Sequence, residues 1–161
     1  MTFSIFGHCP DTGQIGLALT SVTMGVGATS PFYGYGGDIV VVQARGNPNS
    51  AIEGARALDQ GASVAEALDA ILAADADKEQ RQIGILRRDG QMIGRTGAKN
   101  HPWAGEKYGK HCMAFGNVLS GPQVVEAMVQ GYEAAARGGG QSPRRRRPGH
   151  SAARTRERRS G

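Results

Sequence analysis

Alternating hydrophobic and polar positions indicate β-strands in the first part of the chain. Residues 2–6 alternate in this way, and 14–21 follow a turn at residues 10–13, so the two segments predict a hairpin. A run of aliphatic residues within 38–44 predicts a third strand that is buried on both faces. The glycine-rich stretch 24–37 is predicted to be a loop.

The middle of the chain has the start and stop signals of two helices. Asn47, followed by a proline, predicts the start of a helix that runs to about Gln60. Ser63 and Glu66 have the spacing of a capping box, which predicts a second helix to about Ala74. The charged residues that follow are predicted to form a solvated connection: Asp75, Asp77, Lys78 and Glu79.

The second half of the chain repeats the hairpin pattern. Strands over 82–87 and 91–96 flank Asp89-Gly90, a dipeptide typical of tight hairpin turns. A predicted loop over 97–110, a strand over 111–119 and a third helix follow. The order βββ-αα-βββ-α predicts an α+β fold with mainly antiparallel sheets.

The last 24 residues differ in composition from the rest. Residues 138–161 contain eight Arg and one Glu, and none of Val, Ile, Leu, Met, Phe, Trp or Tyr. Such a segment cannot bury apolar surface, so we predict one domain over residues 1–137 and a disordered Arg-rich tail over 138–161. A frame-shifted origin of this tail is a further hypothesis, because Arg without Lys beside Gly, Pro and Ser is typical of misread GC-rich DNA.

Charge also separates the two parts. Residues 1–137 hold 11 basic and 13 acidic residues, a net charge of −2, although the whole chain has a net charge of +5. A nucleic-acid-binding domain carries its positive charge on a folded face, so nucleic acid is not the expected partner. The competing interpretation, a tail that binds nucleic acid, predicts strongly salt-dependent binding that is lost when 138–161 is removed.

Compartment and cofactors are indicated by what the sequence lacks. No apolar run approaches the roughly 20 residues of a membrane helix, and the first residues have no signal-peptide pattern. Cys9 and Cys112 each follow a His, but neighbours on a strand point to opposite faces, so the pairs predict neither a metal site nor a Cys nucleophile. We expect a cytoplasmic protein without a membrane segment, metal or cofactor.

Thr2 is the residue with the most distinctive chemistry. Met aminopeptidases remove the initiator Met when the next side chain is small, which would make Thr2 the first residue. A terminal Thr carries a hydroxyl and a free α-amine whose unperturbed pKa is about 7.7–8.0, so the amine can take the hydroxyl proton. Because many chains begin Met-Thr, the same pattern also fits an ordinary terminus.

Side-chain amides near strand ends and helix starts are further candidates, because they can donate to an oxyanion or cap a turn. Four such residues stand out: Gln43, Asn47, Asn100 and Asn117. For Asn47 the capping role is the stronger expectation. Trp103 either lines a ligand pocket or covers the core.

Short motifs over residues 1–136 recur in the order known from one family: Met1-Thr2-Phe3-Ser4-Ile5, Asp11-Thr12-Gly13, Gly16-Leu17-Ala18, Val26-Gly27-Ala28, Gln43 with Asn47-Pro48, Gln82-Ile83-Gly84, Thr96-Gly97, Trp103-Ala104-Gly105, and Gly116-Asn117 with Gly121-Pro122. The chain resembles the family called domain of unknown function 1028, which is grouped with the N-terminal-nucleophile (Ntn) hydrolases. The resemblance implies an Ntn-like αββα layered sandwich and makes Thr2 the leading candidate nucleophile.

The leading hypothesis is therefore an Ntn-type amidohydrolase that acts on a small amide or peptide-like substrate. Thr2, Asn117 and Gln43 are predicted to be catalytic, with the two amides at the oxyanion. Asn47, Trp103 and Ser4 are predicted to bind the substrate.

The alternative is a non-catalytic ligand-binding or interaction domain on the same scaffold, such as a truncated and inactive member. It is favoured by Val22, where family members often have Lys, and by the Arg-rich tail, where they continue into further strands. We expect a sheet that is incomplete at its C-terminal side, whose unpaired edge favours self-association.

Overall fold

Eight strands in two antiparallel sheets form the centre of the molecule. A computed structural model describes residues 1–137; the predicted tail over 138–161 lies outside the described residues. In chain order the strands are β1 (Thr2–Cys9), β2 (Gln14–Ser21), β3 (Pro31–Tyr33), β4 (Ile39–Gln43), β5 (Gln82–Leu86), β6 (Met92–Thr96), β7 (Gly105–Gly109) and β8 (Cys112–Asn117). The helices are α1 (Val26–Thr29), α2 (Pro48–Asp59), α3 (Val64–Ala73) and α4 (Gln123–Arg137), with a 3-10 turn at Lys78–Gln80.

The strand order places the beginning of the chain inside a sheet. The first sheet has the order β2-β1-β8-β7, and the second has the order β3-β4-β5-β6. In the first sheet Thr2 lies opposite Ser21 of β2 on one side and opposite Asn117 of β8 on the other. Three polar residues therefore lie side by side where these strands end.

Apolar side chains fill the space between the two sheets. Phe6 and Phe115 of the first sheet meet there with their ring centroids 5.2 Å apart, and Val41 and Leu86 reach them from the second sheet. Side chains alternate across a strand, so Thr2 and Phe6 share the face of β1 that points towards the second sheet.

Helices cover the outer faces of both sheets. α2 and α3 pack on Val40, Val42 and Ile83 of the second sheet, and α4 packs on Cys112 and Ala114 of the first. The end signals read from the sequence act as predicted, because Asn47 caps α2 and the capping box of Ser63 and Glu66 starts α3.

The α+β class and the antiparallel sheets are confirmed, and β4 is buried at every position as predicted.

Three predictions of local structure were wrong. The loop over 24–37 contains α1 and β3, the loop over 97–110 contains β7, and the connection after α3 is not simply solvated. There Asp75 is buried and forms an ion pair with Arg81. Burial of an unpaired carboxylate costs free energy, and the positive charge of Arg81 offsets this cost. The Ntn-like sandwich stays a prediction.

Two features of the described residues bear on membranes and metals. Over residues 1–137 no helix has both the length and the apolar character needed to cross a bilayer. In the same part of the chain, no group of three or more His, Cys, Asp or Glu side chains is placed to hold a metal ion. Cys9 and Cys112 are both free thiols.

Candidate functional site

A cavity of about 720 Å³ opens at the end of the sheets where Thr2 lies. Its wall is formed by the start of β1, by the ends of β2, β4 and β8, and by parts of α1, the 3-10 turn and the neighbouring loops. The polar and charged residues that line it include Thr2, Ser21, Thr23, Ser30, Gln43, Arg45, Gln80, Lys99, Asn100, His101 and Asn117.

Thr2 is held in this wall by its neighbours on both sides. Its side-chain oxygen Oγ1 lies 2.9 Å from Oγ of Ser21, and only 8% of the residue is exposed. The Ser21 hydroxyl donates to the carbonyl oxygen of Met1 at 3.2 Å and accepts the backbone N–H of Thr23 at 3.0 Å. While Met1 is present, its carbonyl is thus an acceptor for the Ser21 proton, and Thr2 is left to donate to Ser21.

A chain of buried amides lies directly behind the cavity wall. Ser4 Oγ donates to Gln43 Oε1 at 2.8 Å, and Gln43 Nε2 donates to Gln82 Oε1 at 2.8 Å. Asn117 Nδ2 donates to the same Gln82 oxygen at 3.1 Å. Each of these two amide groups has a second N–H. Gln43 and Asn117, which both line the cavity, therefore retain a donor for an oxyanion.

Gln82 fixes the orientation of this chain. It is fully buried, and its Nε2 reaches Thr96 Oγ1 at 2.9 Å and the backbone oxygens of Gly116 and Gly105 at 2.8 and 3.2 Å. With its nitrogen engaged by acceptors, its oxygen is left to accept from Gln43 and Asn117. The amide of Gln82 therefore determines which atoms of those two residues are donors.

None of the three predicted substrate-binding residues is part of the cavity wall. Asn47 is engaged as a helix cap, because its Oδ1 accepts the N–H groups of Asn49 and Ser50 at 3.1 and 3.4 Å. Trp103 packs against the core beneath α4, and Ser4 lies behind Gln43. Their roles towards a substrate stay predictions.

Backbone strain is concentrated around the cavity. Ala44, Arg45 and Val118 have φ angles of 57°, 61° and 55°, and all three line the cavity. Within residues 1–137 only one other non-glycine residue, His111, has a positive φ. Side chains rarely adopt this left-handed region, and residues held there tend to cluster at functional sites.

The segment after β4 is anchored by a buried ion pair. Arg81 donates through Nε to Asp75 at 2.8 Å, and its Nη1 donates to the backbone oxygen of Arg45. The hydrogen bonds from Arg81 hold the pKa of the Asp75 carboxyl at about 2, below its ordinary value of 3.8, although burial opposes this shift. A charged Asp75 thus positions Arg81, and Arg81 in turn positions the strained cavity rim.

Among the residues of the site that sequence reasoning missed, four are central to its arrangement: Ser21, Gln82, Arg45 and Lys99. Ser21 had a usable signal, because the turn at residues 10–13 fixes the hairpin register in which it faces Thr2. Gln82 appeared only as part of a family motif, and Arg45 and Lys99 carried no local signal. Both cysteines lie towards the other end of β1 and β8, and burial raises the pKa of the Cys112 thiol, which disfavours a thiolate there.

The fold and the cavity define a mixed α+β protein with two antiparallel sheets and a polar pocket beside the second residue. The family described as a family of unknown function (DUF1028) matches residues 2–145, and the chain belongs to this family. The resemblance read from the sequence motifs is confirmed to that extent.

A protein of the same family from Silicibacter pomeroyi, known from a crystal structure, is similar to this chain with 26% sequence identity and a TM-score of 0.77. The similarity covers 83% of this chain and 59% of that protein. The chain therefore spans about three fifths of the length of this relative. No curated protein matches the chain.

Proposed function

We propose that this protein is an Ntn-type amidohydrolase with an Ntn-like αββα sandwich, and that Thr2 is its nucleophile on a small amide or peptide-like substrate. The observation that supports the proposal is the position of Thr2, which lies in a polar cavity at the start of a central strand with a hydroxyl 2.9 Å from its own. A central strand holds its first residue more rigidly than a free terminus would.

Removal of Met1 makes two groups available for the proposed reaction, the α-amine of Thr2 and the hydroxyl proton of Ser21. It exposes the α-amine of Thr2 and removes the carbonyl oxygen that accepts the Ser21 proton. The Ser21 hydroxyl is then able to donate to Thr2 Oγ1 or to stabilise the new amine. A free α-amine in an unperturbed setting has a pKa of about 7.7–8.0, which is close enough to neutral for such a group to act as the base.

The proposed reaction uses Thr2, Asn117 and Gln43. Thr2 Oγ attacks the amide carbon and transfers its proton to the α-amine, and the second N–H groups of Asn117 and Gln43 stabilise the oxyanion. The C–N bond breaks as the α-amine returns the proton to the leaving nitrogen, which leaves an ester on Thr2. A water molecule, activated by the same amine, hydrolyses this ester and restores the hydroxyl.

The test begins with the intact mass of the purified protein, which is expected to lack Met1. A β-lactone, which acylates hydroxyl nucleophiles, is expected to add its own mass to Thr2. Thr2→Ala is expected to lose the label and to lower the turnover of activated anilides on the order of 10³-fold or more. Thr20→Ala changes an exposed threonine on β2 and is the matched control, expected to keep both.

A retained Met1 in protein that is active, or turnover that survives Thr2→Ala, contradicts the proposal. The competing proposal is a non-catalytic ligand-binding or interaction domain on the same scaffold. It is favoured by Val22, which follows Ser21 and stands where the family resemblance leads us to expect a Lys. In that case the Thr2→Ala variant keeps its affinity for a ligand, and no anilide is turned over by the wild type.

A further inference from the structure

The cavity beside Thr2 carries positive charge that is not compensated within its own wall. Arg45 and Lys99 both line it, together with His101. Of the described residues that form the wall, none is Asp or Glu. The folded part of the chain has a net charge of −2, so this local excess runs against the average charge of the molecule.

The acidic residues next to Gln80, which lines the cavity, are engaged elsewhere. Asp75 pairs with Arg81, and Asp77 lies 3.9 Å from the same guanidinium. Glu79 pairs with Arg95 and also accepts the backbone N–H of Ala98. Neither Arg45 nor Lys99 forms an ion pair with any residue in the described part of the chain.

Arg45 is also held in place without losing its charge. Its backbone lies in the left-handed region with φ 61°, and its carbonyl oxygen accepts from Arg81. Its Nη1 donates to Gln80 Oε1 at 3.0 Å, a neutral partner that uses one of the five N–H groups of the guanidinium. The remaining donors form the planar fork that binds carboxylate and phosphate groups.

We propose that the substrate of this site is an amide that carries an anionic group, a carboxylate or a phosphate, which Arg45 and Lys99 bind at the rim while the amide carbon faces Thr2. The inference rests on the proposed hydrolase function. It narrows the substrate class to molecules such as acylated amino acids, short peptides with a free carboxyl end, or amides of phosphate-bearing amines.

Three acetanilides that differ only in the para substituent provide the test: 4-acetamidobenzoate, 4-acetamidophenyl phosphate and the neutral 4-acetamidobenzamide. The wild type is expected to release the aromatic amine from one of the anionic substrates with a kcat/KM about tenfold or more above that for the neutral one. The higher of the two anionic values distinguishes carboxylate from phosphate. This preference is expected to shrink as salt rises from about 50 to about 500 mM.

Two variants assign the preference to the rim. Arg45→Gln and Lys99→Gln are each expected to lower the ratio of anionic to neutral kcat/KM by about fivefold to tenfold. Lys110→Gln removes an exposed cation outside the cavity and is expected to keep the wild-type ratio. Equal turnover of all three anilides overturns the inference, but it leaves the proposed hydrolase function in place.

Binding gives a readout that does not depend on catalysis. If no anilide is turned over, calorimetry compares the affinities of 4-acetamidobenzoate and 4-acetamidobenzamide and so tests the anion site by binding alone. If the wild type binds the anion more tightly than the neutral compound, and Arg45→Gln weakens the binding of the anion, the anion site is supported. The failed turnover then counts against the hydrolase function alone. Equal binding of both compounds, or binding of neither, overturns the anion site as well.

Discussion

The hydroxyl of Thr2 is distinguished by its neighbours and not by its residue type. Ser21 faces it from one adjacent strand and Asn117 from the other, and the cavity is on its open side. Asn47 shows the opposite case, because its amide is engaged by the backbone of α2. At the scale of single residues, the contact partners therefore decide which polar groups are available for chemistry.

Ser21→Ala tests whether the second hydroxyl serves the proposed reaction. Thr2 Oγ1 loses its one side-chain partner, so we expect kcat to fall about tenfold to 100-fold with little change in KM. Stability should change by no more than about 1.5 kcal/mol, because one partly exposed hydrogen bond is lost. Ser21→Thr, which restores a hydroxyl, is expected to recover the rate.

The measurement for Ser21 pairs steady-state kinetics with the rate at which a β-lactone labels Thr2, and Thr20→Ala is the control on the same strand. An unchanged labelling rate in Ser21→Ala would show that the hydroxyl only supports the hairpin end.

Within the site, sequence patterns reached some residues and not others. Gln43 and Asn117 stand at strand ends, which is why the sequence marked them, and the structure brings both to the wall that holds Thr2. Gln82 looks like any polar residue at a strand start, and its burial depends on how the two sheets face each other. Arg45 and Lys99 are 54 residues apart in sequence and meet only through the tertiary fold.

At the scale of elements, the connection between α3 and β5 does more than join them. Asp75 accepts from Arg81 and from the backbone N–H of Asp77, and Arg81 holds the carbonyl of Arg45. A short charged segment thus fixes the loop between β4 and α2, which forms part of the cavity rim. The ionised carboxylate of Asp75 is the group on which this arrangement depends.

Acid should therefore weaken the fold through Asp75. Its folded pKa of about 2 lies below the ordinary 3.8, so its contribution is complete above about pH 4 and is lost as the pH falls towards 2. A shift of this size corresponds to about 2 kcal/mol. In urea titrations we expect Asp75→Asn to be less stable than the wild type at pH 6 and to lose less further stability between about pH 4 and pH 2.

Asp69→Asn, which changes an exposed carboxylate of α3, is the matched control and should follow the wild-type acid dependence. If Asp75→Asn follows the same acid dependence as the wild type, the ion pair does not contribute to stability in the way proposed.

The elements that the sequence did not predict are the short ones at the edges. β3 has three residues and α1 has four, which is fewer than a periodic pattern needs to become visible. β7 is an edge strand whose sequence, Gly-Glu-Lys-Tyr-Gly, contains no aliphatic residue, because its exposed positions do not require one. Elements with a fully buried strand or a buried helix face, such as β4, β8 and α2, were predicted closely.

At the scale of the whole molecule, the two sheets are joined by polar as well as apolar contacts. Phe6, Phe115 and Leu86 form the apolar part, towards the middle of the sheets. At the end next to the cavity, Gln82 of the second sheet bonds to Asn117 and to the backbone of Gly116 in the first. The polar network therefore closes the sheet interface at the point where the cavity begins.

Gln82→Leu is expected to lower the free energy of unfolding by about 3 kcal/mol or more. Leucine has a similar size, but it leaves the amides of Gln43 and Asn117 and the carbonyl of Gly116 buried without their partner, and each such group costs about 1–3 kcal/mol. Urea unfolding measures the loss. Gln91→Leu in the exposed β5–β6 turn is the control, expected to stay within about 0.5 kcal/mol of the wild type.

A second variant separates an unsatisfied network from a simple misfit of leucine. In Gln43→Leu/Gln82→Leu both ends of one hydrogen bond become apolar, so the double variant should lose less stability than the sum of the two single variants, by about 1 kcal/mol or more. Additive losses would mean that the leucines disturb packing independently. A stable Gln82→Leu would mean that the apolar contacts of Phe6 and Phe115 hold the sheets together without the amides, and that the network exists to orient Gln43 and Asn117 at the cavity.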